Sequence, residues 1–337
     1  MQVQTQRGGH PPGLRDKIGQ ERLDLYHEPD TLDLIYDDWW SVLITEGDQA
    51  FASCFGRRPI GGTGLFDIEP VMGYAGLLTN TVDPSFLARA LEAYSAACRD
   101  LGVVAELIRF NPLLEDQLPF SGQPSVTVLG AKEVVACRCS ENPDAILAGF
   151  SASRRKLVTR MAGRLTSRLL DKAHEIHLFR ALYDAAMVRL ETDAGWRFGD
   201  GFYDGVAANP RYAFVSVWKD DRLLAACLIG CRPPIAHYVI AANTADYVEG
   251  AGERLIFEAA LEAARRGCDQ LILGGGVTGA ADDGLLVFKE RFAPDTRTFH
   301  IGKMVHDEAR YRALCEAAIA AKPSLNTSRQ LLLYRDL

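Results

Sequence analysis

The stretch from Gln270 to Asp307 constrains this chain more than any other. An apolar run, Leu271-Ile272-Leu273, ends abruptly in Gly274-Gly275-Gly276. A strand that flows straight into glycines marks a place where bare backbone approaches something closely. A small-residue loop follows, then the adjacent carboxylates Asp282 and Asp283, then an apolar turn carrying Phe288 and Lys289. Phe288 and Phe292 flank Lys289 and argue for partly desolvated surroundings, where a cation acts strongly on an anion. The segment suits a site that handles phosphate or a developing negative charge. Asp282 and Asp283 are either general bases or loop caps, with the cap reading favoured.

Periodicity along the rest of the chain predicts an alternation of strands and helices. Phe86, Leu87, Ala90, Leu91 and Tyr94 recur at helical spacing from Pro84 to Leu101, and Gly102 stops that helix. Thr31 to Trp40 also has helical spacing. Val103 to Phe110 reads as a buried strand, and Ser125 to Leu129 with Val134 to Cys139 as a strand pair. Asp144 to about Leu170 reads as one helical stretch. Tyr212 to Trp218 and Leu223 to Cys231 form a hairpin around Lys219-Asp220-Asp221-Arg222. His237 to Ala242 is a strand, Glu253 to Arg266 a helix, Gln270 to Leu273 a strand, Tyr311 to Ala321 a late helix and Leu331 to Tyr334 a terminal strand. A similar, looser order in the first half amounts to a duplication of architecture rather than of residues.

At 337 residues, two domains are expected. The polar break Ser140-Glu141-Asn142-Pro143-Asp144 marks the boundary, and the N-terminal residues read as a mobile arm. That arm has no apolar core of a secretory signal, and no apolar run is long enough to span a bilayer. The eight cysteines lack zinc-ligand spacing and suit small reduced core residues, so the expectation is a cytoplasmic chain with no metal. His174 and His177 mark a helix-to-strand turn rather than a metal pair. No nucleophile elbow or P-loop is present. The net charge of −7 excludes bulk attraction to nucleic acid but not a local basic track.

Such a track is visible. Lys156, Arg160, Arg164 and Arg168 recur every fourth residue, Arg154 and Arg155 precede them, and no acidic residue lies between Asp144 and Asp171. On one helix these cations repel each other slightly, so the row is either a polyanion surface or a solvated face. Gly250-Ala251-Gly252-Glu253-Arg254-Leu255 opens the predicted helix at Glu253. A strand, a Gly-x-Gly and a helix N-terminus suit phosphate, or simply turn the chain.

These residues together resemble the Fem-type (FemAB-like) aminoacyltransferases of the GNAT superfamily. Leu273-Gly274-Gly275-Gly276, Asp283 to Lys289, Phe292, Phe299 to Gly302 and Tyr311 look like that family's C-terminal signature. Gly73-Tyr74-Ala75-Gly76 is similar to its Tyr-Gly-Tyr-Gly-Gly-Pro loop, and Arg109-Phe110-Asn111-Pro112-Leu113 to its Arg-Phe-His-Pro-Leu segment. Ser153 to Lys156 resembles its basic helix start, and Phe202 the aromatic after its long helix. The order is kept over roughly residues 65 to 311. Gly250-x-Gly252-x-x-Leu255 matches most of the GNAT pyrophosphate loop, with Tyr247 where Gln or Arg is usual.

The resemblance implies an α/β (α+β) fold of two GNAT-like subdomains, each a mixed, mostly antiparallel sheet flanked by helices, with the acceptor in a cleft between them. The implied division is an arm (1–20), subdomains at 21–143 and 144–321, and a C-terminal segment (322–337) that returns to the first. It implies transfer of an amino acid from aminoacyl-tRNA to an amine, with no cofactor. Lys289 would stabilise the oxyanion, with Phe288 and Asp283 beside it. Tyr74, Gly76, Arg109 and Asn111 would bind the acceptor; Gly250, Gly252, Arg254, Lys156, Arg160 and Arg164 would bind the donor. Asn111 replaces the usual His, Leu77 the common Pro, and no long charged heptad insertion is present. The acceptor therefore stays open between a cell-wall precursor and another small-molecule or peptide-like amine. The alternatives are an acyl-CoA-dependent N-acyltransferase on the same fold and a non-catalytic binding module.

Overall fold

The computed structural model describes residues 1–192, 194–246, 248–278, 280, 282–293, 295–327, 330 and 332–335. Two compact units emerge, residues 1–131 with 299–337, and residues 132–298. The boundaries lie inside the strands Thr127–Arg138 and Thr296–Val305, not at 143/144 and 321/322. Neither strand contains proline or a run of turn residues, so composition carries no mark of these crossings. The pair expected over 125–139 is likewise a single strand.

In the first unit, Gln2–Arg7, Trp39–Glu46, Gln49–Gly56 and Leu78–Thr79 form an antiparallel sheet in that order. The N-terminal residues are thus an edge strand rather than an arm. Its side chains are exposed or half-buried on both faces, so it shows no apolar alternation to read. The helix expected to run to Trp40 stops early, spanning Pro29–Ile35, and Trp39 and Trp40 open a strand. Pro29 suits the first helical turn, while the aromatic, β-branched run after Asp38 suits a sheet.

Arg58–Ile60, Leu65–Ile68, Val103–Arg109 and the 299–305 part of Thr296–Val305 lie side by side in this unit, with Leu65–Ile68 and Val103–Arg109 parallel. The helix Pro84–Asp100 is capped by Asp83, whose side chain accepts from the Ser85 N–H at 2.9 Å. Its apolar face, from Phe86 to Cys98, is buried against Val42, Phe51, Val103 and Ile108. Within the same core Tyr94 donates to Glu106 Oε2 at 3.0 Å, and His306 lies fully buried 3.4 Å from that oxygen, which makes His306 structural.

The helix Glu308–Ala321 and the last turns close this unit. Ala318, Leu325, Leu332, Leu333 and Tyr334 pack with Ile60, Val104 and Ala105. Residues 333–335 form a 3₁₀ turn where a strand was expected; Leu331 lies outside the described residues. Arg335 grips the buried Asp67 carboxylate with two hydrogen bonds, 2.8 and 2.7 Å, and also donates to the Pro59 and Arg58 carbonyls.

The second unit is a mixed sheet in the order Thr127–Arg138, Gln270–Gly275, Ile235–Asn243, Arg222–Arg232, Tyr212–Lys219, Thr166–Leu169. All pairs are antiparallel except Ile235–Asn243 with Gln270–Gly275. That parallel pair needs a crossover, and the helix Ala251–Arg265 supplies it. The predicted hairpin is present, with Lys219 opposite Arg222. Leu255, Ile256, Ala259, Ala260 and Ala263 of the crossover helix pack on Val215, Ala225, Cys227 and Leu271. None of the eight cysteines is in a disulfide, and seven are buried.

The stretch expected as one helix over 144–170 is broken into Pro143–Gly149, Ala152–Met161 and the strand Thr166–Leu169. Gly149 and Gly163 flank the middle piece, and Thr166 to Leu169 adds an edge to the sheet beside Tyr212–Lys219. Sheet pairing overrides the weak helical periodicity there.

Candidate active site

The glycine strand ends in a bulge. Ile272 pairs with Ala136 but Gly274 pairs with Val135, leaving Leu273 as the extra residue. Gly274 has φ +76°, which disfavours any side chain. A Cβ on Gly275 would come 2.6 Å from the Glu133 carbonyl oxygen, and one on Gly276 would overlap the Asp283 carboxylate. These glycines make room for neighbouring chain.

Asp283 caps the helix Gly284–Lys289. Its Oδ1 accepts from the Leu285 and Leu286 N–H groups at 2.9 and 3.1 Å, and its Oδ2 from the Thr278 N–H and hydroxyl at 2.8 and 2.9 Å. The Thr278 and helix N–H groups hold its pKa far below the usual carboxylate range. A carboxylate so occupied is a poor proton acceptor, so these bonds favour the cap reading of Asp283 over the catalytic one.

The cap aims the helix so that Lys289, at its last turn, reaches back to the strand end. Lys289 Nζ donates to the Gly275 carbonyl at 2.7 Å, and Gly274 lies against the same nitrogen. Burial, reinforced by the Lys132 cation, lowers the Lys289 pKa to about 8, against an opposing pull from Asp283. Lys132 Nζ itself donates to the Gly276 carbonyl at 3.2 Å. Two ammonium groups thus sit on consecutive glycine carbonyls, each with N–H donors left over. Lys132 was not anticipated, because nothing in Gly130-Ala131-Lys132-Glu133 sets it apart until the strands pair.

Phe288 packs on Phe292 with ring centroids 5.1 Å apart, and its ring edge faces Gly252. This joins the lysine helix to the glycine loop. Gly250 is the N-cap of the crossover helix with φ +82°, and a Cβ there would come 2.5 Å from Met161. Tyr247 lies outside the described residues. The helix start has no side-chain cap, yet Glu253 in its first turn is buried and paired with Arg154 at 2.6 Å. Arg254 is held by Glu258 at 2.5 Å and lies over Phe257, so its guanidinium has a structural task.

The basic row does not share one face. Lys156 and Arg160 lie on the helix Ala152–Met161, Arg164 in the turn after it, and Arg168 on the strand Thr166–Leu169. Acids distant in sequence pair with part of it: Arg160 with Glu249 at 2.5 Å, and Arg168 with Glu175 at 2.5 and 2.7 Å. Arg168 also stacks on Trp218. Among the described residues, Arg155, Lys156 and Arg164 are exposed with no ion pair. His174 pairs with Asp171, and no group of metal-binding side chains occurs among the described residues.

The four residues expected at the acceptor lie in the first unit. Tyr74 stands edge-on to Phe299 at 5.3 Å, and burial raises its pKa. Arg109 is half-buried, and its guanidinium makes no hydrogen bond or ion pair among the described residues. The Gly76 carbonyl bonds His27 Nε2 at 3.2 Å. Asn111 is fully buried: its Nδ2 donates to Asp24 Oδ2 at 2.8 Å and its Oδ1 accepts from the Leu113 N–H at 2.8 Å. Asn111 therefore ties the 109–114 segment to the turn at Asp24 and has no free face for an acceptor.

No family model and no curated protein matches the chain. Solved structures do. The chain is similar to FemX at 11% identity, covering 93% of this chain and 99% of that one, with a TM-score of 0.71. It is similar to the C-terminal domain of a protein designated a lysylphosphatidylglycerol synthetase from Agrobacterium fabrum, at 14% identity, 90% and 94% coverage and a TM-score of 0.55. L-PGS from Bacillus licheniformis gives 12% identity, 87% and 91% coverage and a TM-score of 0.56. At these identities the likeness shows the fold. The chain has a FemX-like mixed α/β architecture.

Proposed function

We propose that this protein is an N-acyltransferase that moves an aminoacyl group from aminoacyl-tRNA to the amine of a small-molecule or peptide-like acceptor. The observation that carries the reading is Lys289, a half-buried ammonium fixed on the Gly275 carbonyl at 2.7 Å and backed by Lys132. The acceptor nitrogen attacks the ester carbonyl carbon, the C–N bond forms, and the carbonyl oxygen gains negative charge. Lys289, with Lys132, donates hydrogen bonds to that oxyanion. The ester C–O bond then breaks, and the proton lost by the amine ends on the released ribose hydroxyl. An aminoacyl ester is already activated, so positioning and charge stabilisation suffice without an enzyme nucleophile. The names FemX and lysylphosphatidylglycerol synthetase among the neighbours of the fold support an aminoacyl donor.

Arg155, Lys156 and Arg164, exposed and unpaired, are the proposed tRNA phosphate contacts, with Arg160 shared between phosphate and Glu249. Tyr74 and Arg109 are the proposed acceptor contacts of the first unit.

The second reading, acyl-CoA as donor, draws on the uncapped helix start at Gly250. The Glu253 carboxylate in that first turn is neutralised by Arg154, so the helix start by itself does not choose between the donors. Ribonuclease separates the two donors. Amide formation that survives ribonuclease and needs only acyl-CoA overturns the tRNA reading, and a protein inert with either donor is the binding module.

A further inference from the structure

Arg109 ends the strand Val103–Arg109 with a charge that the first unit leaves unanswered. A guanidinium stays protonated in proteins, and partly desolvating one without an acceptor is costly. Arg109 is half-buried, and no carboxylate or carbonyl among the described residues accepts from its guanidinium. Its nitrogens are not among the partnerless atoms closed to solvent. The group is therefore unpaired and also open to a ligand from water.

Two tyrosines, Tyr36 and Tyr74, stand in the field of this charge. Tyr36 is fixed from two sides. Gly56 leaves the space for its ring, since a Cβ there would overlap it, and its hydroxyl accepts from the Val71 N–H at 3.3 Å. Nothing among the described residues accepts the Tyr36 hydroxyl proton. Burial raises the Tyr36 pKa, against weaker opposing pulls from the Val71 N–H, Arg109 and Arg58, with Glu69 adding to the rise. The hydroxyl thus keeps its proton as a donor.

The other charges nearby are already answered. Arg58 pairs with Glu69. The Asp24 carboxylate, which also acts on Tyr74, is buried and accepts from the Leu25 N–H at 2.7 Å and from Asn111 Nδ2 at 2.8 Å. At most one positive charge is left over, which suits a singly charged anion rather than a dianion.

We propose that Arg109 and the Tyr36 hydroxyl bind a single carboxylate group, and that the acceptor amine is one that carries it. The guanidinium fork matches the two carboxylate oxygens, and the phenol adds a further donor. A neutral amide lacks the charge, and a phosphodiester presents it on a tetrahedral group rather than a planar one. The acceptor class rests on the transfer reading above. The carboxylate site does not, because its binding is measured without a donor.

Ligand-observed NMR titration of the full chain with butyrate, butyramide and dimethyl phosphate, at constant ionic strength, tests the site. Butyrate binds, butyramide binds at least about tenfold more weakly, and dimethyl phosphate also binds more weakly than butyrate. Arg109→Gln weakens butyrate binding at least about tenfold, and Tyr36→Phe about threefold or more. Butyrate no tighter than butyramide, dimethyl phosphate as tight as butyrate, unaltered butyrate binding in a folded Arg109→Gln, or no butyrate binding up to about 0.1 M would each overturn the site. If Arg109→Gln does not fold, Tyr36→Phe and the three probes decide. In transfer, ω-amino carboxylates have a lower KM than alkylamines of matched length, and Arg109→Gln loses that preference. No preference at any chain length would overturn the acceptor class while leaving acyl transfer itself standing.

Discussion

Lys289 loses its proton near pH 8 in the folded protein, against 10.5 for a free lysine. Between these values the unfolded chain binds more protons, so stability rises with pH across that window. Below it, the charged form remains a fixed cost. Lys289→Met should therefore unfold at higher denaturant at neutral pH, by on the order of 1 kcal/mol after allowing for partial exposure. The same change should lower the transfer rate about a hundredfold, and the wild-type rate should fall above about pH 8 as the ammonium is lost. A pH–rate profile with no alkaline limb near that value would remove Lys289 as the oxyanion donor. Asp283 behaves differently. Its lowered pKa gives stability that is present above the ordinary carboxylate range and lost as pH falls through the folded value. Asp283→Asn should lower the thermal midpoint yet keep more of the rate than Lys289→Met; equal loss of rate would restore it as the base.

Secondary-structure elements decide which cations are free. The break after Met161 sends Arg168 to a sheet edge, where Glu175 and Trp218 hold it, and leaves Arg155, Lys156 and Arg164 exposed. Replacing those three with Gln should weaken tRNA binding and reduce the slope of log affinity against log salt by about 2 to 3. Arg168→Gln should instead lower stability and leave that slope unchanged; filter binding across a salt series distinguishes them. The lysine, its aromatic partner and the glycines at the strand end were legible because their residue types are unusual at that spacing; the bulge at Leu273 was not. Lys132, Glu249 and Glu253 were not, since their partners meet only after the strands pair. A row of cations read along one helix could not reveal acids supplied from another.

For the whole chain, sequence order and spatial order part company. Residues 299–337 complete the unit begun by residues 1–131, and the crossings fall inside unbroken strands. The architecture was legible through helical spacing, the hairpin and the glycine stops. The boundaries were not, because a strand carries no compositional edge where it changes company. Arg335 shows what the return achieves, by neutralising the fully buried Asp67. Arg335→Ala should destabilise the first unit by about 3–5 kcal/mol, since it leaves that carboxylate buried and alone. Denaturant unfolding followed through a probe in that unit measures it, and a change under about 1 kcal/mol would make the pair a surface contact.

The most direct test is amide formation from total charged tRNA carrying labelled amino acids, offered with a mixture of small primary amines. It is run with and without ribonuclease pre-treatment and beside acyl-CoA. The predicted result is product that needs intact tRNA, fails with acyl-CoA alone and drops about a hundredfold in Lys289→Met. Product that survives ribonuclease with acyl-CoA as sole donor, or an unchanged rate in Lys289→Met, would contradict the account.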